Sequence, residues 1–463
     1  MANVKGQFIP DLLLLVSGFL SPGEMKQAFT FLDELFASGG QPKQKLSKDV
    51  ITAFTVWVHE FTHFVQFTTR ISAADYYSFS TSLANYTIDA SLKLKNVLSA
   101  EAGAFLPIHK HIFRNYSNLD EVDSISKDWL EYYFGANQVL AVGGWSPRQN
   151  QDRLLLQTLS DNNHEMFPRL KYSNDSGENI EKQLCTETVL ETEAFIVSTN
   201  VLRIYFPDSY QEILAELHPT VDEHIEFALN LISSGYEILV PVMADFAMQA
   251  ASFLPSYQAD TKDSFQRVSI PWRFLKAMEV CRPYCGINYQ DFSKHRDEIL
   301  EKLSSIYSSE QEKGTITEVL ALLEKHQVSG ISPSLSALLR QNIGVRLEKP
   351  SWFVSPETFL PELHAKLRLP RVKFAHRGIE EGLPYLSSMG FGENSMTPAE
   401  QGELLFDSMR RWLGRQLAKS EGEYVCPDCL LDYRQQECSG SCFYSKYVYE
   451  ILGFNPSEFW ISN

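Results

Sequence analysis

The chain predicts a mainly α-helical protein, on three observations. Apolar residues recur at three- and four-residue spacing through most of its length. Ser, Thr, Pro and Gly stand where helices would start and stop. Only two short segments, Leu12 to Val16 and Val372 to Ala375, have strand character. At 463 residues, 44% of them hydrophobic, the chain can bury a large core and is long enough for two or three domains.

In chain order, the strand at Leu12 to Val16 is followed by Ser21-Pro22-Gly23-Glu24, a capping box that opens a helix over Ser21 to Phe36. Gly39-Gly40 stops it. A second helix is expected from about Ser47 to Arg70. Helical patterns then cover 72–98, 119–134, 181–204, 207–217, 221–253, 265–281, 289–306, 316–327 and 333–341. Thr397-Pro398-Ala399-Glu400 is another capping box, with Pro at the first helical position. It opens an amphipathic helix whose inner side carries Leu404, Leu405, Met409, Trp412, Leu413 and Leu417.

The second helix carries the chemistry. His59-Glu60-Phe61-Thr62-His63 sets two imidazoles four residues apart, on one helix face, with a carboxylate directly after the first. One Zn²⁺ can take a nitrogen from each, with Glu60 in reach of a water activated there. At 100° per residue, Thr52, Thr55, His59, His63, Gln66 and Arg70 share one arc, and Phe54, Trp57, Phe61, Phe64 and Val65 the opposite one. The helix thus buries an aromatic back and turns a polar face toward another element. A pair of core histidines would sit among the aromatics instead.

This stretch, about 25 residues, resembles the zincin metallopeptidases, whose H-E-x-x-H helix supplies two zinc ligands and the general base. The metzincin branch would need Gly and a third His where Gln66 and Thr69 stand. The gluzincin branch instead takes a Glu from a downstream E-x-x-A-D helix, and Cys185-Thr-Glu-Thr-Val-Leu-Glu-Thr-Glu-Ala-Phe195 is similar to one. There Glu191 begins the E-x-x-A pattern, amid an apolar stripe where a carboxylate is costly unless paired or metal-bound. Glu191 is therefore expected as third ligand and Glu187 as its reserve, with Asp75 and Asp89 as the next alternatives. Glu193 projects to the opposite side and reads as a solvated residue. Phe195 replaces the family's Asp, so any role of that Asp beside the ligands has no counterpart here. Gln66, one turn past His63, is expected to line the pocket or bond to a ligand, or else to be an exposed helix residue. The resemblance also implies a sheet against the H-E-x-x-H helix, yet only about 47 residues precede it. That sheet must be reduced or take strands from after the helix.

A second motif stands near the C-terminus. Cys426-Pro-Asp-Cys429 and Cys438-Ser-Gly-Ser-Cys442 place four thiols within 17 residues. The spacing suits a closed tetrahedral zinc site, structural because it leaves no position for water. Two disulfides or an iron–sulfur cluster are the alternatives. Cys281 and Cys285, a lone C-x3-C pair, read as ordinary buried thiols, and Cys185 as packed within the Glu191 helix.

Seven cysteines is an odd number, and the four-cysteine group reads as a metal site, so a reducing, cytoplasmic compartment is expected. The apolar run Leu12 to Leu20 follows Lys5, but Asp11 precedes it and a capping box follows, which argues against a signal peptide. No stretch approaches ~20 apolar residues. A formal charge of −17 without a dense Lys/Arg cluster argues against nucleic acid. Pro255 to Ser264 reads as a linker, giving a zincin-like domain over 1–254, a helical domain over 265–420 and a four-cysteine zinc-binding module over 421–463.

These readings converge on a mainly α protein with a zincin-like core, a reduced sheet and a C-terminal four-cysteine knuckle. It would hold two Zn²⁺, one catalytic and one structural, and hydrolyse peptide bonds of a protein or peptide substrate, with gating by a regulatory partner as an open question. The alternative is a catalytically silent zincin-like scaffold, docking a partner through the aromatic tail Phe443, Tyr444, Tyr447, Tyr449, Phe459 and Trp460. Other histidines, His109, His111 and His376, are candidates for oxyanion stabilisation only by residue type.

Overall fold

Ser47 opens the helix around which the described structure is arranged. Its hydroxyl accepts the Val50 amide at 3.4 Å, and the helix runs over Lys48–Thr69. A computed structural model describes residues 6–10, 13–18, 21–37, 45–78, 168–173, 179–218, 223–249, 251, 266–307, 309–328, 331–355, 359–360, 362–363, 366–367 and 371–374, together with 108–109 and 461–462. Within them the chain is mainly α-helical.

The first elements are β1 (Gln7–Ile9), β2 (Leu14–Ser17), α1 (Pro22–Ala37) and α2 (Lys48–Thr69). The capping box at the head of α1 is reciprocal: the Glu24 amide donates to Ser21 Oγ at 3.2 Å, and the Ser21 amide to Glu24 Oε2 at 3.1 Å. After α2 come a two-residue strand β3 (Ile108–His109), a hairpin of β4 (Arg169–Ser173) and β5 (Asn179–Gln183), and α3 (Thr186–Tyr205). Then follow α4 (Tyr210–Leu217), α5 (Glu223–Ser233), α6 (Val240–Gln249), α7 (Ile270–Cys281), α8 (Tyr289–Ser304), α9 (Ser309–Glu324), α10 (Pro333–Glu348) and α11 (Ser351–Val354). Two strands close the order, β6 (Arg371–Phe374) and β7 (Ile461–Ser462).

The helix expected over 221–253 is two helices. Gly235, at φ +79°, turns the chain between α5 and α6, and its carbonyl accepts the Gly286 amide at 2.9 Å. A Cβ on Gly235 would stand 2.6 Å from that amide nitrogen, so both the turn and the close approach require glycine. The hairpin β4–β5 and the short strand β1 are also absent from the sequence reading, and β5 takes residues expected to begin the Glu191 helix.

Three strands form a sheet in the order β1-β2-β6. The β1–β2 pair is antiparallel and β2–β6 is parallel, with Leu14 opposite Arg371. The sheet is therefore both small and completed by a strand from far downstream. It packs on α2, and the Phe8 ring meets Phe64 edge-on at 5.8 Å. Along α2 the rings of Phe54, Trp57, Phe61 and Phe64 stack in file, with centroids 6.2, 4.8 and 5.8 Å apart. Phe54, Phe61 and Phe64 are fully buried, each contributing about 1.5–3 kcal/mol of transfer free energy.

Helix α2 is buried on its other side too, against α3 and α10. Its many threonines tolerate this because Thr55, Thr62, Thr68 and Thr69 donate to the carbonyls of Ile51, Val58, Phe64 and Val65 in the preceding turn.

By its internal contacts the chain divides into Met1–Ser78 with Gln138–Ala375, and Phe79–Asn137 with His376–Asn463. Helices from both sides of 255–264, where a boundary is expected from sequence, belong to the first unit. There Arg273 of α7 donates to the carbonyls of Phe246 and Ala247 in α6 at 3.0 and 3.1 Å. In the second unit the described pair is β3–β7, which is parallel. No helix among the described residues is long and apolar enough to cross a membrane.

Candidate metal centre

The i, i+4 spacing of His59 and His63 puts their imidazoles on the side of α2 that faces α3, where Glu191 projects between them. Nε2 of His59 lies 3.2 Å from Glu191 Oε2, Nε2 of His63 lies 3.3 Å from Glu191 Oε1, and the two Nε2 atoms are 3.2 Å apart. Ligands ~2.0–2.1 Å from a tetrahedral cation stand about 3.3–3.4 Å from one another. The two imidazole nitrogens are near that spacing, each meets a different oxygen of Glu191, and one ligand atom from each of the three residues lies within 4.8 Å of the others. Two neutral nitrogens and a carboxylate are also the donor types that Zn²⁺ takes when one position stays open. Among the described residues these three are the group able to hold a metal ion.

Charge within the triangle is strongly coupled. Burial works against the charged form of His63, but Glu191 and then Glu60 outweigh it and push the imidazole up to about 9. Burial likewise opposes ionised Glu191, yet His63 and His59 hold its carboxyl well below the ordinary carboxylate range. Without a cation the site is a His–Glu ion pair, and a divalent ion would displace the imidazole proton.

Glu60, next to His59 on α2, is also held by the sheet. Its Oε2 accepts the backbone amide of Phe8 at 2.7 Å, so β1 lies across the carboxylate. Burial raises its pKa, a shift that His59, His63 and the Phe8 amide oppose in part.

Behind His63, Gln66 makes the bond to a ligand that is one of its expected roles, and Glu193 departs from the sequence reading. Gln66 is buried, its Oε1 is 2.8 Å from His63 Nδ1, and its amide nitrogen donates to Leu190 O and to Glu193 Oε2 at 3.0 and 2.9 Å. Glu193, expected on a solvated face, is 2% exposed and makes a two-pronged pair with the buried Arg70, at 2.9 and 2.6 Å. Helix α3 has almost no solvent side, so opposite faces of it both meet protein. Arg70 Nε also lies 3.5 Å from Asp245 of α6, which pairs with Arg346 of α10. Arg346 Nε donates in turn to Thr69 at 3.0 Å. The signal available in sequence was Arg70 itself, a cation on the arc of His63 and Gln66 that could not be buried unpaired.

The remaining candidates fall elsewhere. Glu187 stands apart from the triangle, its Oε1 3.8 Å from His224 Nε2. Asp75 does not join the cluster, and Asp89 lies outside the described residues. Cys185 stands at the N-cap position of α3 without a side-chain capping bond, its thiol 3.1 Å from the Thr188 hydroxyl, and burial pushes that thiol up to about 11. Cys281 is buried, but Cys285, also expected to be, is exposed. His109 is in β3. Outside the described residues are His111, His376, the helix at Thr397, the aromatic tail and all four of Cys426, Cys429, Cys438 and Cys442.

No known protein family, characterised protein or solved structure matches the chain.

Proposed function

We propose that this chain is a zincin-like, gluzincin-type zinc metallopeptidase that hydrolyses peptide bonds in a protein substrate. His59, His63 and Glu191 would hold the catalytic ion, and Cys426, Cys429, Cys438 and Cys442 a second, structural zinc. The observation that carries the reading is the His59–His63–Glu191 cluster, whose two Nε2 atoms are 3.2 Å apart and each lie within 3.3 Å of one Glu191 oxygen, one residue from a buried carboxylate suited to proton transfer. A bound Zn²⁺ supplies Lewis acidity to a scissile carbonyl and draws the pKa of water toward ~7.

The chain's own residues supply the proton chemistry. Glu60 Oε2 is engaged by the Phe8 amide, so Oε1 takes the proton of the attacking water and delivers it to the departing amine nitrogen as the C–N bond breaks. Burial favours this role, because a carboxylate whose pKa is raised is a stronger base. Gln66 accepts from His63 Nδ1 and so leaves Nε2 free as a ligand.

Two measurements test the reading together. Metal analysis of the purified chain is expected to give zinc that is lost in part in His63→Ala. A proteome-wide cleavage comparison of wild type with Glu60→Gln is expected to give peptides made only by the wild type. Identical cleavage by the two proteins, with zinc bound, would leave the scaffold in place of the enzyme.

A further inference from the structure

The inference rests on the metal-centre reading and concerns what stands behind it. Gln66 has two chemically different ends, and reversing its amide would present N–H₂ to His63 Nδ1. That would move the imidazole hydrogen to Nε2, where it blocks ligation. The orientation is fixed from behind. Leu190 O and Glu193 Oε2 are acceptors and cannot face an amide oxygen, so the nitrogen end of Gln66 must turn to them and its oxygen to His63. Glu193 is itself held by both terminal nitrogens of Arg70, in surroundings where neither side chain is more than 2% exposed. A carboxylate in such a pair is an acceptor with no freedom to turn, which a water or a neutral amide would not be.

We propose that Glu193, with Arg70 behind it, is a positioning residue for the metal centre: through Gln66 it keeps the hydrogen of His63 on Nδ1 and the Nε2 lone pair aimed at the ion. The position that is Asp in gluzincins is Phe195 here, and the pairing of Gln66 with Glu193 supplies a ligand-orienting hydrogen bond by a different route.

The test uses the full chain with imidazole-¹⁵N histidine, the His63 signals being identified by their loss in His63→Gln. Wild type is expected to show a slowly exchanging Nδ1–H on His63, with or without metal. The double variant Arg70→Met/Glu193→Leu removes both charges together, which leaves no buried ion unpaired. In it the Nδ1–H should exchange rapidly, and the affinity of the His59–His63 site for cobalt(II) should fall about 10–100-fold. The d–d bands of that site are separable from those of thiolate-bound cobalt. Should this variant fail to fold, Glu193→Gln, which keeps the volume and one acceptor oxygen, is read in the same way. A slowly exchanging Nδ1–H and unchanged cobalt affinity in a folded variant would overturn the proposal. If wild type bound no metal at the two histidines while the Nδ1–H still depended on Glu193, the positioning would stand and the metallopeptidase reading would fall.

Discussion

Burial raises the pKa of Glu60, and this sets a pH limit on any reaction in which that carboxylate accepts a proton. The base exists above the raised value and is lost as pH falls through it. Glu60→Gln is expected to lower turnover by roughly 10²–10⁴ with zinc still bound. The same shift has a sign for stability. The folded value exceeds the unfolded one, so the ionised carboxylate costs stability above the folded value, and that cost disappears below the ordinary value of 4.5. Glu60→Gln should thus melt at a higher temperature than wild type near pH 8, with the gap closing as the pH is lowered toward about 4. Equal melting curves across that window would contradict the burial argument. His59, Glu60 and His63 were readable in the sequence because their relation lies within one turn of one helix. Glu193 was misread because a helical projection sorts residues by angle but does not say how many sides of the helix are covered.

At the scale of elements, β1 holds Glu60 by a backbone amide and α2 by a ring, and the two can be separated. Phe8→Ala removes the ring from Phe64 and Phe67 but keeps the amide, whereas Phe8→Pro removes both. Because that amide lowers the Glu60 pKa, the acid limb of the pH–rate profile is expected to lie higher in Phe8→Pro than in Phe8→Ala. Coincident limbs would show that the contact does not tune the base. The helices α2, α3, α6 and α10 are joined by two buried arginines and two buried carboxylates. Asp245→Ala leaves Arg70 and Arg346 with Glu193 alone, and is expected to cost about 3–5 kcal/mol in denaturant unfolding. Long helices such as α2 and α3 were legible from their period. The three residues of β1 were too few to show one, and the break at Gly235 depends on Gly286, fifty-one positions away, which no local pattern contains.

For the whole molecule, the proposed centres predict about two zinc ions per chain. His63→Ala should remove one and a Cys429→Ser/Cys442→Ser variant the other, each without loss of its counterpart, as read by mass-spectrometric metal analysis. Release of both by either change would show that the two sites are not independent. The mainly α class was legible because so many segments carry the helical period. The division of the chain was not, since Pro255 to Ser264 looks like a linker by composition while Arg273 binds α7 to α6 across it.

The parallel register of β2 with β6 also orders events in time. Leu14 finds its partner only when Arg371 has been synthesised, and Thr69 meets Arg346 only shortly before. Pairings of such sequence separation form late, after the local helices. On the ribosome the H-E-x-x-H helix is complete while Glu191, Glu193 and the sheet's last strand are still unmade. A nascent chain therefore carries the base and two ligands of the proposed centre without the parts that fix them, and the centre matures only when the first unit is nearly whole.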